Sequence, residues 1–249
     1  MTVPDHSSDQ ASRVGAAPRV RLNRHRVLVA AVAFADTSGV EGLSMRGLAQ
    51  ELGVVPMALY KHVANKEELL NGMVDLVVAE IEPAPQEAGW KTAVRARILS
   101  ARQCVVRHRW AAQVIQSRTS ASPVVLGYMD SLMGLFLAGG VSADLTHHAM
   151  HALGTRMWGF TQNVFPTPAP PEDPQERAAM VEEFAARYPH ILQIATAASR
   201  TPASMAGGGC DEQFEFEFAL DVLLEGIERM YEQGWISTGS ARGDHEPSP

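Results

Sequence analysis

A chain of 249 residues with 46% hydrophobic content carries enough apolar side chains for one or two packed domains, which excludes global disorder. Two cysteines, Cys104 and Cys210, stand far apart without a CxxC partner, so neither a disulfide framework nor a structural zinc site is expected. The net charge of −7 is uneven: residues 1–66 carry eight Lys/Arg against five Asp/Glu, and the remainder 13 against 23, so a basic segment precedes an acidic body.

Residues 1–18 read as a disordered tail without periodicity, and they lack the apolar core of a signal peptide. No apolar run approaches the roughly 18 residues of a membrane span, so no membrane partner and a cytoplasmic location are expected. From Asn23 the pattern turns helical. Val27, Val29, Ala30, Val32, Ala33 and Phe34 form a broad apolar face, and Gly39 closes the helix. Ser44 caps a short second helix over "MRGLAQEL", ended at Gly53. Pro56 suits the first turn of a third, where its missing N–H leaves no bond unmade. Asn65 caps a fourth, "KEELLNGMVDLVVAEI", which "EPAP" (82–85) breaks.

Helical blocks then follow over about 89–108, 110–117, 123–138, 142–164, 174–199 and 211–233. "FEFEF" (214–218) alternates locally, but the wider spacing of Phe214, Phe218, Leu220, Leu223, Leu224, Ile227, Met230 and Tyr231 is helical. "TPASMAGGGC" (201–210) reads as a loop and the last dozen residues as a polar tail. The fold class is all-α. The expected division is a tail over 1–18, a helix-turn-helix DNA-binding domain over 19–66, a larger helical ligand-binding and dimerisation domain over 67–236, and a tail over 237–249.

Three short helices with Gly-marked turns in a basic segment suggest a helix-turn-helix. Ala49 and Leu52 are expected in its core, Gly53 at the tight turn, Val54 beneath it, and Leu59 and Val63 as the seam that holds the third helix. Pro56, Met57, Ala58, Tyr60, Lys61 and His62 are left for the outer side or the ends. Arg46 suits a guanine edge or a phosphate, and Pro56, Met57 and Ala58 suit thymine methyl groups. Tyr60, Lys61, His62 and Lys66 suit phosphates, and Arg19, Arg21, Arg24 and Arg26 the flanking backbone. Taken singly, each reads equally well as a packing or solvated residue; their joint placement on one motif favours nucleic acid.

"GLSMRGLAQELGVVPMALYKHVANKEELLNGMVD" (42–75) resembles the DNA-binding signature of TetR-family transcriptional regulators. The signature is a Ser/Thr–Arg–Leu–Ala helix, a Gly–Val turn, a recognition helix ending in Leu–Tyr–x–His–Val/Phe, then x–Asn/Ser–Lys–x–x–Leu. "FEFALDVLLEGIERM" (216–230) resembles the last helix of the tetracycline-repressor type of C-terminal domain. The resemblance implies a homodimeric, ligand-responsive repressor on a palindromic DNA operator, released by a small-molecule effector. It carries base contacts to Arg46, Pro56, Met57 and Ala58, and phosphate contacts to Ser44, Tyr60, Lys61, His62 and Lys66. Pro56 stands at the tetracycline repressor's base-reading glutamine and Met57 at its proline, so a different operator is implied. Aligning Trp90 with that repressor's tryptophan puts Glu82 at its metal-linked histidine, which argues against a tetracycline–magnesium effector.

Chemistry alone nominates Trp110, Gln113, Gln116, Arg118, Met133, His147, His151, Arg156, Trp158, Phe160 and Asn163 for a ligand pocket. His147 and His151 are four apart, but no Cys or HExxH glutamate completes a set, so no metal site and no cofactor are expected. No nucleophile with a base and no paired acids make an enzyme constellation, so an enzyme is not expected. An effector-independent regulator or activator is the alternative. The last helix's bulky positions, Phe214, Phe218, Leu223, Ile227 and Met230, suit a dimer core and an intramolecular core equally.

Overall fold

The computed structural model describes residues 21–118, 120–159, 172–190, 193 and 212–237. All regular structure among them is helical. In chain order the helices are α1 (Arg24–Ser38), α2 (Met45–Glu51), α3 (Pro56–Leu59), α4 (Lys66–Ala79), α5 (Trp90–Arg107), α6 (Trp110–Ser117), α7 (Pro123–Ala138), α8 (Ala143–Gly159), α9 (Pro174–Arg187) and α10 (Glu212–Glu232). They fall into two compact units, Met1–Met73 and Val74–Pro249.

The N-terminal unit is built on local punctuation. The Asn23 side chain accepts from the Arg26 N–H at 2.8 Å, and Ser44 Oγ accepts from the Gly47 N–H at 3.1 Å, each satisfying a donor the helix leaves free. Asn65 accepts from the Glu68 N–H at 2.8 Å, while the Glu68 carboxylate reaches back to the Ala64 N–H at 2.7 Å. Its core is made by Val27, Leu28, Ala31 and Ala35 of α1, Leu48 and Ala49 of α2, Leu59, Val63, and Leu69 and Met73 of α4.

The apolar face expected on α1 needs correction. Val29 is 47% exposed and Ala33 is exposed, whereas Leu28, Ala31 and Ala35 complete the buried stripe. At 100° per residue, positions 27, 28, 31 and 35 share one face and 29 and 33 lie opposite, a distinction that an apolar run blurs. Leu52 and Val54, expected in the core and beneath the turn, are half-buried. The unit boundary also falls later than the 66/67 division expected from sequence, because the first half of α4 packs with α1. A Cβ on Gly72 would come within 2.7 Å of Leu28 Cδ2, so this mid-helix glycine permits the close approach of the two helices.

In the C-terminal unit α5 packs against α7, α10 and α6, and α8 packs against α10, α7 and α6. Ile98 and Ala101 of α5, Leu132 and Phe136 of α7, Leu145 of α8, and Leu220 and Leu224 of α10 are almost fully buried. Burying a Leu, Ile or Phe side chain contributes about 1.5–3 kcal/mol each, which makes this core the unit's main source of stability. Gly139 closes α7 where its backbone meets Trp90; a Cβ there would lie 2.4 Å from Trp90 Cβ.

α5 and α10 run antiparallel along a ladder of ion pairs. Lys91 binds Glu225 and, at 2.6 Å, Glu228; Arg95 binds Asp221 at 2.6 Å and Glu217 at 2.9 Å. These half-exposed pairs fix register more than they add stability. The described part of α8 ends at Gly159, whereas α9 itself ends at Arg187: Tyr188 is not helical, so the block expected over 174–199 is interrupted there. The expected extension of α8 to 164, residues 191–192 and 194–199, the loop over 201–210 and the tail residues 1–18 and 238–249 lie outside the described residues.

Candidate nucleic-acid interface and effector-domain residues

α2 and α3 are joined by a tight turn. The Val54 N–H donates to the Ala49 carbonyl at 2.9 Å, and Gly53 takes φ +64°, a left-handed conformation that favours glycine. Val55 is extended, and Pro56 opens α3 without needing a donor. The helix ends at Leu59, earlier than the expected seam to Val63; Leu59 is fully buried, and Val63, in the turn that follows, is 1% exposed. The opposite side is open. Val55 is 68% exposed, Met57 70% and Tyr60 44%; Pro56, Lys61 and Lys66 are exposed too, while Ala58 and His62 are half-buried.

Arg46 on α2 is exposed. Ser44 uses its oxygen as a cap acceptor, which leaves its hydroxyl hydrogen to donate outward. Arg24 lies 3.7 Å from Glu68, and Arg26 donates to the Arg21 carbonyl at 3.2 Å. Arg19 lies outside the described residues. Of the predicted contact residues, Ser44, Arg46, Pro56, Met57, Tyr60, Lys61 and Lys66 are exposed. An apolar tip of Val55, Pro56, Met57 and Ala58 is bordered by hydrogen-bond donors at Tyr60, Lys61, His62 and Lys66. Val55 was missed from the sequence: a valine beside Val54 reads as core, and only the extended cap turns it outward.

The nominated effector residues are placed differently. Trp110 is 5% exposed, its ring centre 6.2 Å from that of His108. Arg118 is half-buried, and its Nη1 is buried without a hydrogen-bond partner. Gln113 and Gln116 are exposed on α6, and His147 and His151 are exposed on α8 with ring centres 4.6 Å apart. The side chains of Arg156 and Trp158, and Phe160 and Asn163 entirely, lie outside the described residues. Among the described residues no group of three or more His, Cys, Asp or Glu has metal-holding geometry.

Tyr128 and Arg102 are among the polar residues buried in this unit that were not nominated from the sequence. The Tyr128 phenol is pushed up to about 12 by burial, against the opposing pull of Arg97, whose guanidinium carbon lies 5.1 Å from the ring centre. Arg102 is 4% exposed, and burial lowers its guanidinium below the ordinary value, with only the charge of Glu212 opposing. Arg97 itself is engaged through both terminal nitrogens. Its Nη1 donates to the Ile81 and Glu82 carbonyls at 3.2 and 2.6 Å, and its Nη2 to Ser131 Oγ at 3.0 Å. Ser100 Oγ accepts from the Glu82 N–H at 2.8 Å, so α5 clamps the segment that follows α4.

Two family models account for most of the chain. The model for bacterial regulatory proteins of the tetR family matches residues 27–73, and that for the tetracyclin repressor-like C-terminal domain matches 82–231. The chain belongs to the TetR family. It is 31% identical over 231 residues to the HTH-type transcriptional repressor DrrR1 of Streptomyces coeruleorubidus, a match covering 90% of this chain and 84% of that protein. It is 27% identical to the class C tetracycline repressor protein of Escherichia coli, covering 84% and 92%. Among solved structures it resembles the Streptomyces coelicolor TetR family protein ActR in complex with actinorhodin, with a TM-score of 0.58, 26% identity, and 84% and 98% of the two chains covered. As a TetR-family member the chain is a DNA-binding transcriptional regulator and not an enzyme. No helix among the described residues is long and apolar enough to cross a membrane.

Proposed function

We propose that the chain acts as a homodimer on a palindromic operator, reading base edges with the tip of α3 and leaving the DNA when a small organic effector binds the C-terminal domain. The observation that carries this reading is the opposition of the two sides of α3. Leu59 and Val63 are sealed, while Pro56 and Met57 stand open at the end of a unit bordered by cationic and hydroxyl donors. A helix held rigidly by one apolar seam can enter a major groove with its N-terminal residues against the bases. Pro56, Met57 and Ala58 offer apolar surface to thymine methyl groups, and Arg46 offers a fork to a guanine. Ser44, Tyr60, Lys61, His62 and Lys66 hold phosphates and set the register.

The dimer reading is supported by the outer face of α10. Phe214, Phe218 and Val222 are 42%, 58% and 55% exposed and flank a surface groove of about 780 Å³ that also meets Asp221, Glu225 and Arg229. A contiguous row of large apolar side chains on a helix is the kind of surface that a symmetric partner covers. The effector domain spans the helices from α5 to α10, with Trp110 and Arg118 as the nominated residues turned inward. Gln113, Gln116, His147 and His151 take part only if ligand binding rearranges α6 or α8.

The test uses duplexes selected from a random pool and fluorescence anisotropy on the winning sequence. An enriched palindrome, bound by a species of twice the chain mass and released by actinorhodin, supports the reading. A chain that binds DNA without enrichment, or whose complex is untouched by actinorhodin and a metabolite panel, contradicts the operator or the effector part respectively.

A further inference from the structure

Of Arg95, Arg97 and Arg102 on α5, the one that is buried has the fewest partners. Arg95, with its side chain 34% exposed, holds two carboxylates. Arg97, half-buried, donates to two carbonyls and a hydroxyl. Arg102, 4% exposed, has almost nothing. Its Nε is buried without a hydrogen-bond partner, and its Nη2 reaches only the backbone carbonyl of Glu212, at 3.4 Å. Among the described residues no carboxylate lies within 4.0 Å of it, and the Glu212 side chain is exposed. A guanidinium is not deprotonated in proteins, so the burial leaves a permanent charge whose lost hydration the more distant charge of Glu212 only partly offsets.

The surroundings are ordered rather than loose. The guanidinium carbon lies 4.3 Å from the centre of the Phe216 ring, so the planar group is supported on a face that is itself buried. On the same helix Ile98, Ala101 and Val105 are buried and apolar. What is missing is a partner for the fork.

We propose that Arg102 is the anion-recognition group of the effector domain and that the effector is an organic carboxylate with an apolar body. The proposal rests on the effector reading above and names the chemistry of its ligand. A carboxylate presents two oxygens to the parallel N–H groups of a guanidinium fork, and a monoanion balances the one buried charge. The apolar body suits Ile98, Ala101, Val105 and the Phe216 edge. In the absence of ligand the partly compensated charge lowers stability locally, so the carboxylate stabilises the folded domain by more than its contacts alone.

The experiment compares anthraquinone-2-carboxylate with anthraquinone-2-carboxamide, identical in body and different in charge, by calorimetry on the full-length protein and its Arg102→Met variant. Melting of the ligand-free proteins and release of the bound duplex are read in parallel. The wild-type protein is expected to bind the acid at least about 10-fold more tightly than the amide, a difference of about 1.4 kcal/mol. Arg102→Met is expected to bind both equally, to keep the affinity for the amide, and to melt no lower than the wild type once the buried charge is gone. Equal binding of acid and amide by the wild type, with both releasing DNA, overturns the role of Arg102 and leaves the effector reading standing. An acid preference that survives in Arg102→Met, or a clear drop in its melting temperature, also overturns it, the latter because Arg102 is then held by the fold. Failure of both compounds to bind the wild type overturns the proposed ligand class, and release by actinorhodin then decides whether the effector reading falls as well.

Discussion

Replacing Leu59 by alanine tests how α3 is held. The helix is four residues long and has no side-chain cap, so it has no stability of its own in water. Leu59 is fully buried and Val63, in the turn that follows, nearly so, and the element they anchor packs against α2. Truncating a fully buried leucine costs about 2–5 kcal/mol through lost transfer energy and the cavity left behind. The unit from α1 to Met73 is about 50 residues, which at 0.05–0.15 kcal/mol per residue gives it about 2.5–7.5 kcal/mol in all. Leu59→Ala therefore removes from about a quarter to all of that. The assay is urea unfolding followed by circular dichroism, with DNA anisotropy at a concentration where the wild type is saturated. The expected result is an early transition belonging to the N-terminal unit and loss of DNA binding, with the later transition unmoved. Met57→Ala, at a side chain 70% exposed, is the control and shifts stability by no more than about 0.5 kcal/mol. A loss below about 1 kcal/mol for Leu59→Ala, with DNA binding intact, refutes the claim that one buried seam positions the helix.

Gly139→Ala is expected to destabilise the C-terminal unit by about 1–3 kcal/mol in thermal unfolding, because the new Cβ would fall 2.4 Å from Trp90 Cβ and neither backbone can yield without moving α5 or α7. Tyr128 should ionise near 12 in an ultraviolet difference titration, later than the ordinary 10. Because its folded value is raised, the associated stability is complete below pH 10 and is lost as pH climbs toward 12. Asp144 accepts from the Ser237 N–H at 2.6 Å and from its hydroxyl at 2.7 Å, and these two bonds, the first foremost, hold its carboxyl below the ordinary 3.8. A depressed carboxyl contributes stability that is present above its unfolded value and lost as pH falls. Ser237→Ala should therefore raise the Asp144 value measured by NMR.

Local grammar was legible and long-range geometry was not. Asn23, Ser44, Pro56 and Asn65 were readable as helix starts because capping involves residues three or four apart. The α2–α3 turn was readable because Gly53 supplies a backbone conformation that few residues adopt. The face of α1 was misread because Val29, Ala30, Val32 and Ala33 make the pattern apolar all round. The use of Gly72 within α4 shows only once α1 lies against it. Arg102 was invisible for the same reason, since Glu212 and Phe216, which surround it, come more than 100 residues later. The last helix divides its aromatic residues in a way that alternation alone cannot reveal: Phe216 is buried while Phe214 and Phe218 face out.

On the proposed reading, the exposed tip of α3 reads bases while its flank grips phosphates. Enrichment of duplexes from a random pool, repeated with Met57→Ala and Lys61→Ala over a series of salt concentrations, tests it most directly. The expected result for Met57→Ala is relaxed preference at one position per half-site, by about 1–3 kcal/mol or 5- to 150-fold. Lys61→Ala should weaken all sequences alike and reduce the salt slope by about one. Unchanged preference in Met57→Ala, together with an unchanged salt slope in Lys61→Ala, would contradict it.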